Sequence, residues 1–167
     1  SVACRELNLS EGIEGEGVAV AVLLDTNIFI SVKNREEPYY PHSKVLLEHI
    51  DDGLLIGLIS TVTVAEMCVG YYLFGDVREK NRFITHIRSS DNYKVIDVDL
   101  NIAEKAGRIK AEAGIRLPDA ILIASAIEKD AYAIVTHDIE LRKASKYIKV
   151  LSARDCIQEL MGRKSPR

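Results

Sequence analysis

From residue 18 to residue 160 the chain alternates two hydrophobic patterns. Short, mainly apolar runs fall at 18–24, 54–60, 93–98, 132–135 and 149–151. Runs of that length suit strands buried on both faces of a parallel sheet. Between them, apolar residues recur every three or four positions, which is the period of a helix with one inward face. This spacing predicts helices over 28–32, 43–50, 61–73, 76–87, 99–113, 118–128, 139–146 and 152–160. In the second of these, Val45, Leu46 and Ile50 are expected inward; in the fourth, Val77, Phe83, Ile84 and Ile87. Asp99 reads as a cap, with Ile102, Ala106, Ile109 and Ala113 in helical register and Gly114 as the stop. The segment 118–128 is apolar almost all round, so a central buried helix is expected there.

Strands alternating with helices predict an α/β protein, a single α/β/α sandwich with a mainly parallel central sheet. One folded domain is expected over 18–160. Residues 1–17, rich in glycine and acid near their end, read as a flexible extension, and 161–167 as a basic tail. No internal repeat and no second domain is visible in the pattern.

Composition narrows the function. The chain has 167 residues, is 47% hydrophobic, contains no Trp and carries a formal charge of -3. That balance excludes a broad basic surface, so any nucleic-acid site must be local, and a divalent cation could supply part of its positive field. Cys4, Cys68 and Cys156 are odd in number and lack zinc or redox spacing, which fits free thiols in a reducing, cytoplasmic setting. No apolar run reaches bilayer length, and no signal peptide or membrane association is expected. A nucleophile elbow and a phosphate-cradling glycine loop are both absent.

Four acids occupy strand ends or helix starts. Asp25 directly follows the first run, Glu66 lies early in the helix after the second, Asp119 opens the buried helix, and Asp138 follows the fourth run. Parallel sheets gather the carboxyl ends of their strands along one edge, where ligands bind. Four carboxylates brought together there would repel one another, a cost that a hard divalent cation removes. Such a cation, with its bound water, suits phosphodiester hydrolysis. Taken singly, each acid has another reading. Asp25 is a possible helix cap, Glu66 completes a capping-box pattern from Thr63, Asp119 after Pro118 is a helix-start residue, and Asp138 a turn residue.

With these residues in place the chain resembles the PIN-domain family, and the VapC-type toxins in particular. The resemblance rests on four segments: Leu23-Leu24-Asp25-Thr26-Asn27, Ser60-Thr61-Val62-Thr63-Val64-Ala65-Glu66, Leu117-Pro118-Asp119-Ala120-Ile121-Leu122-Ile123-Ala124, and Ile134-Val135-Thr136-His137-Asp138. It implies an endoribonuclease using Mg2+ or Mn2+, with Asp25, Glu66, Asp119 and Asp138 as metal ligands. Asn27 would then orient Asp25 or a bound water, and Thr136 would support the fourth acid. RNA as substrate, a cognate antitoxin and a homodimer follow from the same resemblance. Arg116 and His137 are candidate RNA contacts, along with Lys110, Arg142 and Lys143, although solvated helix faces explain the basic residues and an exposed turn explains His137. The segment from Tyr71 to Phe74 and the helix after it are candidate partner contacts, or simply core. The competing functions are a non-toxin PIN-like RNA-processing or RNA-binding protein and a carboxylate-nucleophile phosphatase. The phosphatase expects a second acid two residues after Asp25, where this chain has Asn27.

Overall fold

The five apolar runs become β1 (Val20–Leu24), β2 (Leu55–Ser60), β3 (Tyr93–Ile96), β4 (Ala133–Val135) and β5 (Val150–Leu151) in a computed structural model of the chain. It describes residues 19–162, so the extension expected over 1–17 and most of the 161–167 tail lie outside the described residues. All four strand pairings are parallel, in the order β3-β2-β1-β4-β5. The expected mainly parallel sheet is therefore parallel throughout.

The helices are α1 (Thr26–Lys33), α2 (Tyr40–Asp51), α3 (Thr61–Leu73), α4 (Val77–Ser89), α5 (Leu100–Ala113), α6 (Leu117–Glu128) and α7 (Ala153–Met161), with a 3-10 helix at Ile139–Ala144. They cover both sheet faces, and strand alternation divides the core accordingly. Ala21, Leu23, Ile56, Leu58 and Ile134 point to one side, where Ile102, Ala106 and Ile109 of α5 and Leu122 and Ile123 of α6 meet them. Val22, Leu24, Leu55, Ile59 and Val135 point to the other, against Ile28, Leu46, Ile50, Met67 and Cys156. With β1 buried on both faces, its side chains explain why the run reads as continuous rather than alternating.

Some inward expectations shift. α2 turns Ser43, Leu46 and Ile50 inward, spaced at three and seven residues, so Val45 falls beside that stripe and is 36% exposed. Asp76 caps α4 instead of joining it, its carboxylate accepting the Glu79 N–H at 3.2 Å, and Val77 is left exposed at the first turn. Beyond buried Tyr71, the residues Tyr72, Leu73 and Phe74 stand out of the core at 60%, 78% and 81% exposure. The segment expected as a helix over 139–146 is a 3-10 turn that buries Leu141 and Ala144, three residues apart. Gly57 has a packing reason: a Cβ there would come within 2.9 Å of the Tyr93 ring on β3. Cys68 and Cys156 are free, and burial pushes the Cys156 thiol up to about 12, which leaves it unreactive. No helix among the described residues is long and apolar enough to cross a membrane.

The topology places a crevice at one point of the sheet edge. From β1 the chain runs to β2 on one side, whereas β4 returns on the other side of β1. Strand order reverses between β1 and β4, and a crevice opens past the carboxyl ends at such a reversal.

Candidate active site

Asp25 stands at that reversal. β1 ends at Leu24, and the Asp25 N–H donates to the Val135 carbonyl of β4 at 3.0 Å. Its extended backbone and its place before α1 make it the N-cap, with Oδ1 accepting the Thr26 N–H at 2.7 Å. The cap and site readings of Asp25 therefore coexist. Its Oδ2 accepts the Thr136 hydroxyl at 2.7 Å and the Asn27 amide at 3.2 Å.

Thr136 and Asn27 tie two loops together. The Thr136 hydroxyl oxygen also accepts the Asp138 N–H at 3.0 Å and the Asn27 amide at 3.0 Å. The Asn27 carbonyl oxygen accepts the His137 N–H at 3.1 Å. Sequence reasoning places Thr136 in support of the fourth acid. Its hydroxyl instead donates to the first acid, and it reaches the fourth only through that residue's backbone.

Glu66 is placed differently from its capping-box reading. The cap of α3 is Ser60, whose hydroxyl accepts the Val62 N–H at 3.1 Å, so Glu66 lies a turn and a half into the helix. Its Oε1 accepts the Thr26 hydroxyl at 2.9 Å, and Thr26 Oγ1 in turn lies 3.1 Å from Thr63 Oγ1. Thr26 is thus a positioning residue that the sequence signalled only as the middle of Asp25-Thr26-Asn27. Asp119 sits in the first turn of α6, buried, with Oδ2 accepting the Arg116 guanidinium at 3.2 Å. Asp138 caps the 3-10 helix through the Glu140 N–H at 2.9 Å.

All four acids surround two adjoining recesses. Asp25, Glu66 and Asp138 line one together with Thr26, Asn27 and Arg116. Asp119 and Asp138 line the other, again with Arg116. Burial, aided to a smaller extent by the charges of Asp119 and Glu66, lifts the Asp25 carboxyl from 3.8 to about 6 against the pull of the Thr136 hydroxyl and the Thr26 N–H. Arg116, itself exposed, is raised by its bond to Asp119 and by the fields of Asp138 and Glu66. One guanidinium thus faces three acids.

The donor set is hard oxygen throughout, and it holds a buried carboxyl with more negative charge around it than the protein neutralises. Both features fit a divalent cation such as Mg2+ or Mn2+. Among the described residues, no three His, Cys, Asp or Glu side chains already form a closed group for one ion. The acids face a common cleft without converging on one point.

The remaining candidates separate. Lys110 is committed to the Ile115 carbonyl at 3.0 Å, and Lys143 to Glu140 at 2.8 Å. His137 is a half-buried latch and not the exposed turn residue that its position suggests. Its Nε2 lies 2.9 Å from Ser43 Oγ and 3.2 Å from Ser31 Oγ, and its ring stacks on Tyr39 at 4.2 Å. Burial lowers its pKa, opposed by Glu36. The pairing of β4 with the α1–α2 region through this ring was not legible, because Ser31, Tyr39 and Ser43 have no motif.

Among solved structures, a toxin–antitoxin complex from Klebsiella pneumoniae superposes with TM-score 0.62 at 22% identity, covering 79% of this chain and 97% of that one. VapBC2 from Rickettsia felis, bound to a DNA fragment from its promoter, gives 0.62 at 17% identity over 80% and 98%. VapC20 from Mycobacterium tuberculosis, described as a Sarcin-Ricin loop cleaving toxin, gives 0.60 at 17% identity over 74% and 94%. At these identities the likeness establishes the fold. No curated protein matches by sequence. The model of the PIN domain matches residues 22–147, which runs from within β1 through the 3-10 helix and includes all four acids. The chain belongs to the PIN-domain family.

Proposed function

We propose that this chain is a metal-dependent endoribonuclease acting as the toxin of a toxin–antitoxin pair. The observation that carries the reading is the set of four acids around the β1–β4 crevice, with Asp25 buried and under-neutralised. The toxin–antitoxin complex and the Sarcin-Ricin loop cleaving toxin of the same fold support the choice of partner and substrate.

Asp25, Glu66, Asp119 and Asp138 would hold Mg2+ or Mn2+, directly or through water. The bound cation would supply an activated water and neutralise the scissile phosphate. Thr136 and Asn27 donate to Oδ2 of Asp25 and the Thr26 N–H to Oδ1, which together fix its rotamer. Thr26 holds Glu66 on the same side of the crevice. Arg116, drawn to the acids in the resting protein, can swing from Asp119 to a substrate phosphate, because its side chain is 75% exposed. His137, bonded to two serines and held toward the neutral form, positions the loop before Asp138 and is not assigned as acid or base.

A cytoplasmic location and a homodimer belong to the same reading, and the exposed strip of Tyr72, Leu73 and Phe74 is the surface offered for partner contact. The RNA-binding alternative predicts binding without turnover, and the phosphatase predicts release of phosphate from monoesters. Wild type, Asp25→Asn and Asp119→Asn are to be compared on structured and single-stranded RNA with Mg2+, Mn2+ or chelator. Cleavage by wild type alone, abolished by chelator, supports the proposal. Internal RNA linkages left intact by folded wild type in every metal would sink it.

A further inference from the structure

Beside the acid cleft, on the far side of Asp138, lies a further recess of about 370 Å3. Its size falls within the range of small-ligand pockets. Its wall carries Tyr39, His42, His137, Arg142 and Arg154, and Asp138 is the lone acid lining it. The charge is therefore opposite in sign to that of the acid cleft, in a chain whose net charge is -3. Among the described residues neither Arg142 nor Arg154 makes a side-chain hydrogen bond or ion pair, whereas Arg82, Arg108 and Arg116 each meet an acid. Arg142 comes from the 3-10 helix and Arg154 from α7, so two separate elements deliver unpaired guanidinium groups to one hollow.

The aromatic side of the recess is built rather than incidental. Tyr39 and His137 stack nearly parallel, at 16°, and two buried serines clamp the His137 ring through Nε2. Tyr39 remains 42% exposed. A fixed flat surface beside free guanidinium groups is what single-stranded nucleic acid recognises, with bases stacking and phosphates pairing. Both features lie next to Asp138, which also lines the acid cleft.

We propose that this recess is a nucleotide subsite of the cleft, in which Arg142 and Arg154 take a backbone phosphate of single-stranded RNA and the Tyr39–His137 stack takes a base. It deepens the endoribonuclease reading and rests on it for the identity of the ligand. The subsite would make cleavage depend on a nucleotide beyond the scissile linkage, and so give this enzyme part of its sequence or loop preference.

The test is fluorescence anisotropy with a labelled RNA octamer in chelator, where cleavage is suppressed, together with cleavage kinetics in Mn2+ on the octamer and on a dinucleotide. The variants are Arg142→Ala with Arg154→Ala, the matching double Lys variant, and Tyr39→Ala, each with a melting temperature as fold control. The double Ala variant is expected to weaken octamer binding about tenfold or more and to lower the salt slope of binding by roughly one to two. The Lys pair recovers the slope. Tyr39→Ala is expected to weaken binding about fivefold or more with the slope unchanged. Dinucleotide turnover stays at the wild-type level in the double Ala and double Lys variants.

Octamer affinity and slope unchanged in the folded double Ala variant would overturn the subsite, even if wild type cleaves RNA. Retained RNA binding with loss of binding to a labelled poly-Glu peptide would overturn it too, by assigning the arginines to an acidic protein segment. If wild type binds the octamer through these residues and yet cleaves no RNA, the subsite stands and the nuclease reading falls.

Discussion

The two sides of the acid cleft are built to different standards. On the strand side, Asp25 has both carboxylate oxygens bonded, Thr136 links three groups through one hydroxyl, and Asn27 joins the loops after β1 and β4. On the helix side, Glu66 is held by one hydroxyl and Asp119 by one exposed guanidinium. The strand side has its geometry fixed before any ion or substrate arrives. The helix side leaves two carboxylates with free oxygens, able to turn toward what enters. A site that must exchange substrate phosphates needs such a division, since a fully rigid acid cluster would carry its repulsion at all times.

The sharpest way to break this comparison is to remove charge on the fixed side. Asp25→Asn is expected to lower kcat/KM for RNA by about a thousandfold, the scale seen for loss of a preorganised electrostatic group. Glu66→Gln, which keeps the Thr26 contact through its amide oxygen, should cost less, about tenfold to a hundredfold. Equal losses in single-turnover assays would erase the distinction between the sides.

The same substitution has the opposite sign for stability. The Asp25 carboxyl titrates near 6 when folded and at 3.8 in its ordinary state, so folding favours its protonated form. That contribution is complete below about pH 3.8 and is lost as pH rises through about 6. In chelator, Asp25→Asn is therefore expected to exceed wild type in unfolding free energy at pH 7.5 by about 1–3 kcal/mol, from a shift of roughly two units. The advantage should vanish near pH 4. Urea melts across that range check it; a pH-independent difference would show that Asp25 is not under strain from burial and its neighbours.

Thr136→Val tests the hub itself. It removes the donor to Asp25 and leaves the Asp138 N–H without its acceptor, at a cost of about 2 kcal/mol. Thr136→Ser restores the hydroxyl and should recover most of that. A Val variant as stable as wild type would mean that the strand side is not preorganised by this residue.

The legibility of each site residue depends on the kind of signal it leaves in the sequence. Asp25 and Asp138 could be read because buried strands announce themselves as apolar runs, and the residue after such a run lies at a fixed place. The parallel order followed from alternation of strands and helices. The roles inside the site were harder. Thr63 to Glu66 matches a capping box by spacing alone, but the chain uses Ser60 as the cap because β2 passes directly into α3 with no intervening loop. Pattern cannot say which of two hydroxyls, three residues apart, has the extended backbone a cap needs. His137 was equally opaque, since its partners Ser31, Tyr39 and Ser43 come from elements about a hundred residues away in sequence. The Tyr72, Leu73 and Phe74 strip stayed open between partner contact and core for a related reason: hydrophobic periodicity reports an apolar face, and says nothing about whether this chain or another one covers it.

Arg116 is where the helix side can be sharpened with the smallest perturbation. Its bond to Asp119 is at the surface on the arginine's side, so the pair contributes under about 1 kcal/mol. Arg116→Gln should therefore shift the melting temperature by no more than about 3 °C. It does, however, remove a positive charge that faces Asp119, Asp138 and Glu66 together. If the guanidinium acts as a stand-in cation for the acids, its loss should tighten Mn2+ binding severalfold in titration calorimetry while raising KM for RNA. If instead it is only a first-turn partner for α6, Mn2+ affinity should not change. An unchanged affinity together with an unchanged KM would mean that Glu66 and Asp119 are set apart by packing, and the flexible side of the comparison would have to be abandoned.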